Sequence, residues 1–370
     1  MKKSSLEEII EKHKILICVG SGGVGKTTLS AALGVRAAQL GKKVLVMTID
    51  PSKRLKIALG VGDEQSQGVK ISKQRYAGEL HVAILDAQTI FDEFITSAAG
   101  DSEEAKALLN NMLYQQLSTT LSGSQEFTSL LQLSKISTQD EYDLLVLDTP
   151  PAQHAVDFLE APGKIGALFE EQIVRWFVGS DQVGFIRKVI SAGTKTVFSL
   201  LEKITGSRFI HELNGFFRSI RSIQNKISEK TSLVQKILLD SSTGFLLVTG
   251  FDEAKLREAE QLNLYLEDKR YHMLGVVINR AFPKWFLNKI SPQEPKVAEE
   301  YNKWVNYQQQ REGIFKSFSS KWRKDIPVAR VPDFNADVYG LDGIEVVANE
   351  LDCAFITNHT NELRAEEQKS

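Results

Sequence analysis

The sequence has few cysteines and methionines and no long apolar run. Only Cys18 and Cys353 occur among its 370 residues, far apart and without a CxxC pair. This spacing excludes a disulfide framework or a cysteine-based zinc site, and it fits a reducing compartment. No apolar run approaches the roughly 20 residues that cross a bilayer, and acidic residues stand where a signal peptide would be apolar. We therefore expect a cytoplasmic protein without a transmembrane segment.

The sequence also has no large excess of positive or negative charge. The chain has 45 Lys and Arg against 47 Asp and Glu, a formal net charge of -2. No global field therefore draws it to anionic partners, so composition gives no strong case for nucleic-acid binding. With 42% hydrophobic and 25% charged residues, the composition is typical of a globular protein that buries a large core.

Short apolar runs alternate with helical patterns along the chain. Residues 15–19 and 44–49 are apolar and flank a helical stretch over 26–40, which predicts a βαβ unit. Further strand candidates are residues 80–85, 144–147, 245–249, 274–278 and 328–331. This alternation favours an α/β fold with a doubly wound, mostly parallel sheet of the P-loop NTPase type.

Two segments interrupt this alternation with helical patterns alone. We interpret residues 89–138 and 156–240 as an inserted helical subdomain. The ATPase core then comprises residues 1–88, 139–155 and 241–351, and a polar tail covers 352–370.

The end of the insertion is both basic and apolar. Residues 182–240 hold ten Lys and Arg, four Asp and Glu, and five phenylalanines, at positions 185, 198, 209, 216 and 217. Two explanations stay open. The aromatic faces of helices pack on each other with the lysines solvated outside, or the segment is a surface that binds a hydrophobic protein client.

One motif gives a strong chemical signal. Residues 20–27 satisfy GxxxxGK[ST] and lie directly after a predicted strand and before a predicted helix. Glycines let successive N-H groups point inward, and the helix N-terminus adds partial positive charge where phosphates sit. We expect Lys26 to hold the β- and γ-phosphates of ATP and Thr27 to bind Mg²⁺. The predicted nucleotide-binding residues are Gly20, Ser21, Gly22, Gly23, Val24, Gly25, Lys26, Thr27 and Thr28.

Two aspartates follow apolar runs. Asp148 ends residues 144–147 and precedes Thr149-Pro150-Pro151, as expected for a Mg²⁺-orienting carboxylate that begins a γ-phosphate-sensing loop. A mere strand-end aspartate is the alternative. Asp50 also lies at a carboxyl end, the edge where ligands of doubly wound sheets bind. It orients the attacking water or caps a helix.

Three segments together resemble the ArsA-type ATPases, which comprise arsenite-pump ATPases and factors that target tail-anchored membrane proteins. They are the loop GSGGVGKTT, the first switch DPSKRLKIALG from Asp50, and the second switch DTPPAQHAVDFLEAP from Asp148. The likeness extends to FLLVTGFDEAKLREAEQL, GVVINRAFP and VPDFNADVYGLDGI, so it spans most of the chain in order.

The resemblance implies roles for individual residues. Asp50 would activate the hydrolytic water, and Asp148 with Thr27 would organise Mg²⁺. Asn279 would receive adenine together with the segment Pro332 to Phe334. His154 would relay nucleotide state to the helical subdomain, unless it is an ordinary surface histidine.

The sequence also departs from this family. A lysine that usually precedes the paired glycines and reaches the partner's nucleotide is replaced by Ser21. Lys53 or Arg54 would substitute for it, or a lysine-bearing related chain would complete a heterodimer. The stretch directly after Asn279 contains no cysteine, since Cys353 lies far along the chain, so we expect no zinc bridge, and two distant cysteines disfavour arsenite transport. With four methionines in all, a client groove would be lined by Phe, Leu and Ile.

The function predicted from these observations is an ATP-hydrolysing switch that dimerises with nucleotide and whose helical subdomain binds an apolar protein or membrane-associated partner. Its cofactors would be ATP and Mg²⁺. Two alternatives stay open, a partitioning-type ATPase and a weakly hydrolysing ATP-binding subunit of a heterodimer with a related ATPase.

Overall fold

In a computed structural model, two compact units are formed, one by residues 1–85, 135–158 and 237–370, the other by 86–134 and 159–236. The structure describes residues 5–48, 55, 59, 69–70, 75–99, 108, 110–112, 114, 125–149, 155–168, 207–282, 292–320, 322, 326–334 and 337–367.

The first unit is built on an eight-stranded sheet. Its strands are β1 (Ile15–Gly20), β2 (Lys43–Thr48), β3 (Val69–Lys70), β4 (Glu79–Ile84), β5 (Leu144–Asp148), β6 (Thr243–Thr249), β7 (Met273–Ala281) and β8 (Val328–Pro332). The strand order is β3-β4-β2-β5-β1-β6-β7-β8. Every neighbouring pair is parallel except β3 with β4, which is antiparallel at the edge. The predicted doubly wound, mostly parallel α/β fold is confirmed.

Helices connect the strands and extend into the second unit. In the described part of the chain they are α1 (Ser5–Lys12), α2 (Lys26–Gln39), α3 (Ala87–Ala99), α4 (Gln125–Ser137), α5 (Ala155–Leu168), α6 (Ser207–Leu239), α7 (Glu253–Asp268), α8 (Pro295–Ser319) and α9 (Gly340–Glu367). None of the described helices combines the length and the apolar character that a membrane span requires.

The core lies between the central strands and the helix that follows β1. Every residue of β1 is buried, as expected for a parallel strand covered on both faces. Helix α2 packs closely because its inward face carries alanine and glycine. A Cβ on Gly34 would lie 2.3 Å from Val46 Cγ2. The small side chains therefore set the distance between α2 and the sheet, and with it the position of the loop that precedes α2.

Helix α9 packs on α2 and continues beyond the point where the sequence suggests a tail. The sequence-based division begins a polar tail at residue 352, whereas the helix runs to Glu367. Phe355 is fully buried in the core beside Gly275. Asp352 accepts a hydrogen bond of 2.9 Å from Arg36 on α2, and Glu7 on α1 accepts one of 2.6 Å from the same guanidinium.

Arg36 thus joins α1 and α9 to α2, and its side chain is only 18% exposed. We expect Arg36→Met to reduce the free energy of unfolding by about 2 kcal/mol, because two largely buried carboxylates lose their cation while the apolar stem is kept. Urea denaturation measures the change. Lys12→Met, which removes a well-exposed ion pair with Glu8, is the control and should change little. Equal stability of the two variants would contradict this role of Arg36.

The regular elements described in the second unit are all helices. Aromatic side chains form part of its core: the ring of Phe94 meets Phe127 edge-on at 5.6 Å, and Phe91 stacks with Tyr114 at 6.2 Å. Phe216 and Phe217 on α6 are also buried, with their ring centroids 5.2 Å apart. At these two positions the aromatic residues of the basic segment serve packing. Phe185 and Phe198 lie outside the described residues.

Candidate functional site

The loop between β1 and α2 is shaped by three glycines with positive φ. Gly20, Gly23 and Gly25 have φ of 152°, 76° and 91°. At Gly20 the close approach of β6 matters most, since a Cβ would lie 1.9 Å from the carbonyl oxygen of Val248. Gly25 is the N-cap of α2, and a Cβ there would meet the Asn279 amide at 2.3 Å. The backbone therefore curls where side chains would not fit, as phosphate-binding loops require.

Lys26 begins α2 and folds back over this loop. Its ammonium donates hydrogen bonds to the carbonyl oxygens of Gly20 at 3.0 Å and of Ser21 at 2.8 Å. The side chain is 7% exposed, so the charge lies within the concave side of the loop. A buried cation surrounded by loop backbone and next to a helix N-terminus is suited to phosphate oxygens.

Asp148 is the last residue of β5, and its carboxylate accepts hydrogen bonds from two hydroxyl groups. Thr27 donates a hydrogen bond of 2.6 Å to its Oδ2 atom, and Thr48, the last residue of β2, donates one of 3.0 Å to the same atom. The predicted pair Thr27 and Asp148 is thus in direct contact. Thr48 was not predicted from the sequence, because it lies 100 residues from Asp148 and becomes its neighbour only through the parallel pairing of β2 with β5.

The next residue, Thr149, is fixed to the neighbouring strand. Its hydroxyl donates a hydrogen bond of 2.7 Å to the carbonyl oxygen of Cys18 in β1. Burial raises the pKa of the Cys18 thiol to about 12, so this thiol stays neutral at ordinary pH and acts as an apolar core residue. The segment predicted as the second switch therefore starts from two residues, Asp148 and Thr149, that are held firmly to the centre of the sheet.

Asn279 near the end of β7 contacts the phosphate loop directly. Its amide donates a hydrogen bond of 2.8 Å to the Val24 carbonyl oxygen, and the residue is 8% exposed. The pairing of β7 with β8 shifts register between Ile278 and Ala281, and Arg280 in this interval has a φ of 54°. Bulges of this kind re-aim side chains near functional sites. Here the register shift spans Asn279, whose side chain supports the phosphate loop.

Pro332 and Phe334 lie at the end of β8, beside the same end of β7. Pro332 pairs with Ala281, and the Asp333 backbone N-H donates to the Ala281 carbonyl oxygen at 2.9 Å. Phe334 is partly buried against the hydrophobic core. The three residues predicted to receive adenine thus lie at the carboxyl ends of two adjacent parallel strands, the edge at which such sheets bind ligands.

Ser21 is buried within the loop and lies beside α7. Its hydroxyl lowers the pKa of Glu258, burial opposes this shift, and Lys255 adds to it. The contact between Ser21 and Glu258 falls short of full hydrogen-bond geometry, whereas the Lys255 ammonium lies 3.2 Å from the Glu258 carboxylate. Ser21 therefore packs inward against a charged pair and does not project from the surface as a long cation would.

A cavity of about 260 Å³ adjoins the loop on the side of β6 and β7. Aromatic and cationic groups share its lining, with Tyr307 and Arg311 on α8 facing Arg280 and the glycines of the loop. Arg311 stacks over the Tyr307 ring at 4.8 Å and donates to the Phe251 carbonyl oxygen at 3.2 Å. Its residues come from four separate segments. Gly22, Gly23, Val24 and Asn279 in this lining were predicted from the sequence, whereas Tyr307 and Arg311 were not, because no motif marks α8.

The structure does not test every predicted site residue. Asp50, Lys53, Arg54 and His154 lie outside the described residues, so their roles stay predictions. Thr28 is described as part of the first turn of α2. Among the described residues, no group of three His, Cys, Asp or Glu side chains could hold a metal ion.

A glycine-rich loop between a central parallel strand and a helix, with an aspartate from the adjacent strand bound to the threonine of the loop, defines a P-loop NTPase. The sequence profile of the family described as anion-transporting ATPase matches residues 13–352. The chain therefore belongs to this ArsA-type family, as its motifs suggested, and is an ATP-hydrolysing P-loop enzyme.

Individual relatives cover most of the chain. A protein of Aquifex aeolicus named as an arsenical pump-driving ATPase is 25% identical over 342 residues, 90% of this chain and 78% of that protein. The ATPase get3 of Aspergillus terreus is 27% identical over 289 residues, 77% of this chain and 78% of that protein. A Chlorobaculum tepidum protein, also named as an arsenical pump-driving ATPase, is 23% identical over 343 residues, 91% and 75% of the two chains.

Proposed function

We propose that this ATPase is a nucleotide-driven switch in which ATP and Mg²⁺ join two copies of the chain and hydrolysis releases them. The observation that carries the proposal is the contact between Thr27 and Asp148, 2.6 Å at Oδ2. It connects the phosphate loop to the strand that leads directly into the predicted second switch. A change at the γ-phosphate would then be transmitted along the chain beyond Thr149.

The residues at this point fit a magnesium ion. Mg²⁺ prefers oxygen ligands and takes few from the protein, keeping several waters. The Thr27 hydroxyl and the Asp148 carboxylate are oxygen donors on adjacent elements and are already in contact. They would hold the ion, whose charge would offset that of the phosphates. Lys26 would bind phosphate oxygens in place of the loop carbonyls that it now contacts.

Asp50 would orient the attacking water. It comes two residues after Thr48, the last residue of β2, and parallel strands β2, β5 and β1 end at the same edge of the sheet. A carboxylate there is suited to accept a hydrogen bond from water and direct its lone pair toward phosphorus. Asn279, Pro332 and Phe334 would receive the adenine on the opposite side of the loop.

The helical unit would bind an apolar protein or membrane-associated partner, as proposed for residues 182–240. In its described part, Leu233 on α6 is 42% exposed and Met112 is 43% exposed, while lysines and arginines recur along the same helix. The buried Phe216 and Phe217 limit the proposal, because those side chains contribute to the core and not to a groove. We also propose that the protein is cytoplasmic and that its chain is divided into an ATPase core and a helical subdomain.

Hydrolysis and dimerisation measured together test the switch. We expect wild type to hydrolyse ATP and to form dimers with ATP and Mg²⁺ but not with ADP. Asp50→Asn should lower kcat by about 10²-fold while keeping ATP affinity and the ATP-dependent dimer, because only the alignment of water is lost. Sedimentation velocity and a phosphate-release assay give both quantities.

Two other outcomes would redirect the proposal. ATP binding without turnover or self-association would favour a subunit that pairs with a related, lysine-bearing ATPase, for which Ser21 is the motivating residue. ATP-dependent binding to DNA, in place of a hydrophobic client, would favour a partitioning-type ATPase.

A further inference from the structure

Asp148 is held by a second hydroxyl that no sequence motif indicates. Thr48 lies directly opposite Asp148 in the register of β2 with β5, and both residues end their strands. The side chains are 1% and 2% exposed. The Thr48 hydroxyl donates a hydrogen bond of 3.0 Å to Oδ2, the oxygen that also accepts from Thr27.

Two donors to one carboxylate oxygen restrict the rotation of the Asp148 side chain. A side chain held by one hydrogen bond can turn about it, whereas donors from different elements fix its direction. Thr27 comes from α2 and Thr48 from β2, so the plane of the Asp148 carboxylate is set by the helix and the neighbouring strand together. Donated hydrogen bonds also stabilise the ionised carboxylate, which is the form that serves a cation.

Thr48 also lies close in the chain to the first predicted switch. The backbone that follows Thr48 reaches Asp50 two residues later, and the backbone that follows Asp148 leads into the second switch. The hydrogen bond between the two side chains therefore joins Asp148, the first residue of the second predicted switch, to a residue two positions before the first predicted switch. A displacement of either strand end would be transmitted to the other through this buried hydrogen bond.

We propose that Thr48 is a positioning residue for the metal-binding carboxylate of this ATPase, fixing Asp148 for Mg²⁺ and coupling the two switch segments. The inference rests on the proposed function, because it assumes that Asp148 and Thr27 serve a magnesium ion. It predicts that removing the Thr48 hydroxyl impairs the use of Mg²⁺ without impairing the binding of nucleotide in the absence of Mg²⁺.

Thr48→Val tests the role, because it replaces the hydroxyl by a methyl group of similar size. We expect the Mg²⁺ concentration for half-maximal hydrolysis to rise about tenfold, as for the loss of one hydrogen bond to a charged group. Equilibrium binding of a non-hydrolysable fluorescent ATP analogue provides a readout without turnover. Its affinity with Mg²⁺ should fall by a similar factor, while its affinity in EDTA stays at the wild-type value.

Two further variants separate positioning from packing. Thr48→Ser keeps the donor and should restore the Mg²⁺ dependence. Thr243→Val is the matched control: Thr243 is fully buried at the first position of β6, away from the phosphate loop, and its hydroxyl has no hydrogen-bond partner among the residues that the structure describes. It should leave the Mg²⁺ dependence unchanged. If Thr48→Val does not fold, Thr48→Ala replaces it in the same comparison.

The possible failures can be told apart. If wild type binds the analogue equally well with Mg²⁺ and with EDTA and hydrolyses ATP without Mg²⁺, the proposed metal site fails and this inference fails with it. If wild type depends on Mg²⁺ and Thr48→Val shows the same dependence, only the role of Thr48 is overturned. Equal defects in Thr48→Val and Thr48→Ser would likewise assign Thr48 to packing.

Discussion

Replacing Lys26 by methionine is expected to lower ATP hydrolysis by roughly 10³-fold and to weaken ATP binding strongly. The ammonium is the buried cation that the described structure places within the concave loop, 3.0 Å and 2.8 Å from two of its carbonyl oxygens. Methionine keeps the length and apolar character of the stem and removes only the charge. Preorganised charges of this kind contribute about 10²- to 10³-fold to a chemical step, and the loss of ground-state binding adds to this.

Titration with a fluorescent ATP analogue and a phosphate-release assay measure the two losses separately. Lys14→Met is the control, since Lys14 pairs with Asp140 on the surface, at the end of β1 opposite the loop. That variant should retain wild-type binding and turnover. A Lys26→Met protein that binds ATP with wild-type affinity would contradict the assignment of the loop as the phosphate site.

Replacing Gly20 by alanine is expected to destabilise the protein by roughly 3 kcal/mol or more, or to prevent folding. An added Cβ would lie 1.9 Å from the Val248 carbonyl oxygen and 2.9 Å from its carbon, so β1 and β6 would have to separate at the point where Gly20 pairs with Val248. No flexible side chain can yield there, because the obstructing atoms are backbone.

Gly41→Ala distinguishes this clash from backbone strain alone. Gly41 also has a positive φ, 88°, but no atom in the described part of the chain lies within 4 Å of the position of an added Cβ. It should cost about 1 kcal/mol, the usual penalty for alanine in the left-handed region. Urea denaturation compares the two variants. If their free energies of unfolding agree, the contact with Val248 is not what requires glycine at position 20.

The sequence predicted the sheet strands closely where burial was continuous. Residues 15–19, 44–49 and 144–147 correspond to β1, β2 and β5, displaced by a single residue at most at either end. The strand β3 was missed, because a two-residue edge pairing has no apolar period of its own. The predicted boundary at residue 351 falls inside α9, because the polar residues that follow do not indicate that Asp352 binds Arg36 or that Phe355 packs in the core.

The sequence alone determined the class of protein, because a phosphate loop is a local object. Its glycines, lysine and threonine are contiguous, and their chemistry depends on backbone curvature that the same residues specify. The tertiary structure decided which distant groups complete the site. Thr48, Asn279 and Glu258 come within reach of Asp148, Val24 and Ser21 only when strands and a helix far apart in the chain are packed side by side. Such contacts depend on register and packing, for which a linear pattern has no signal.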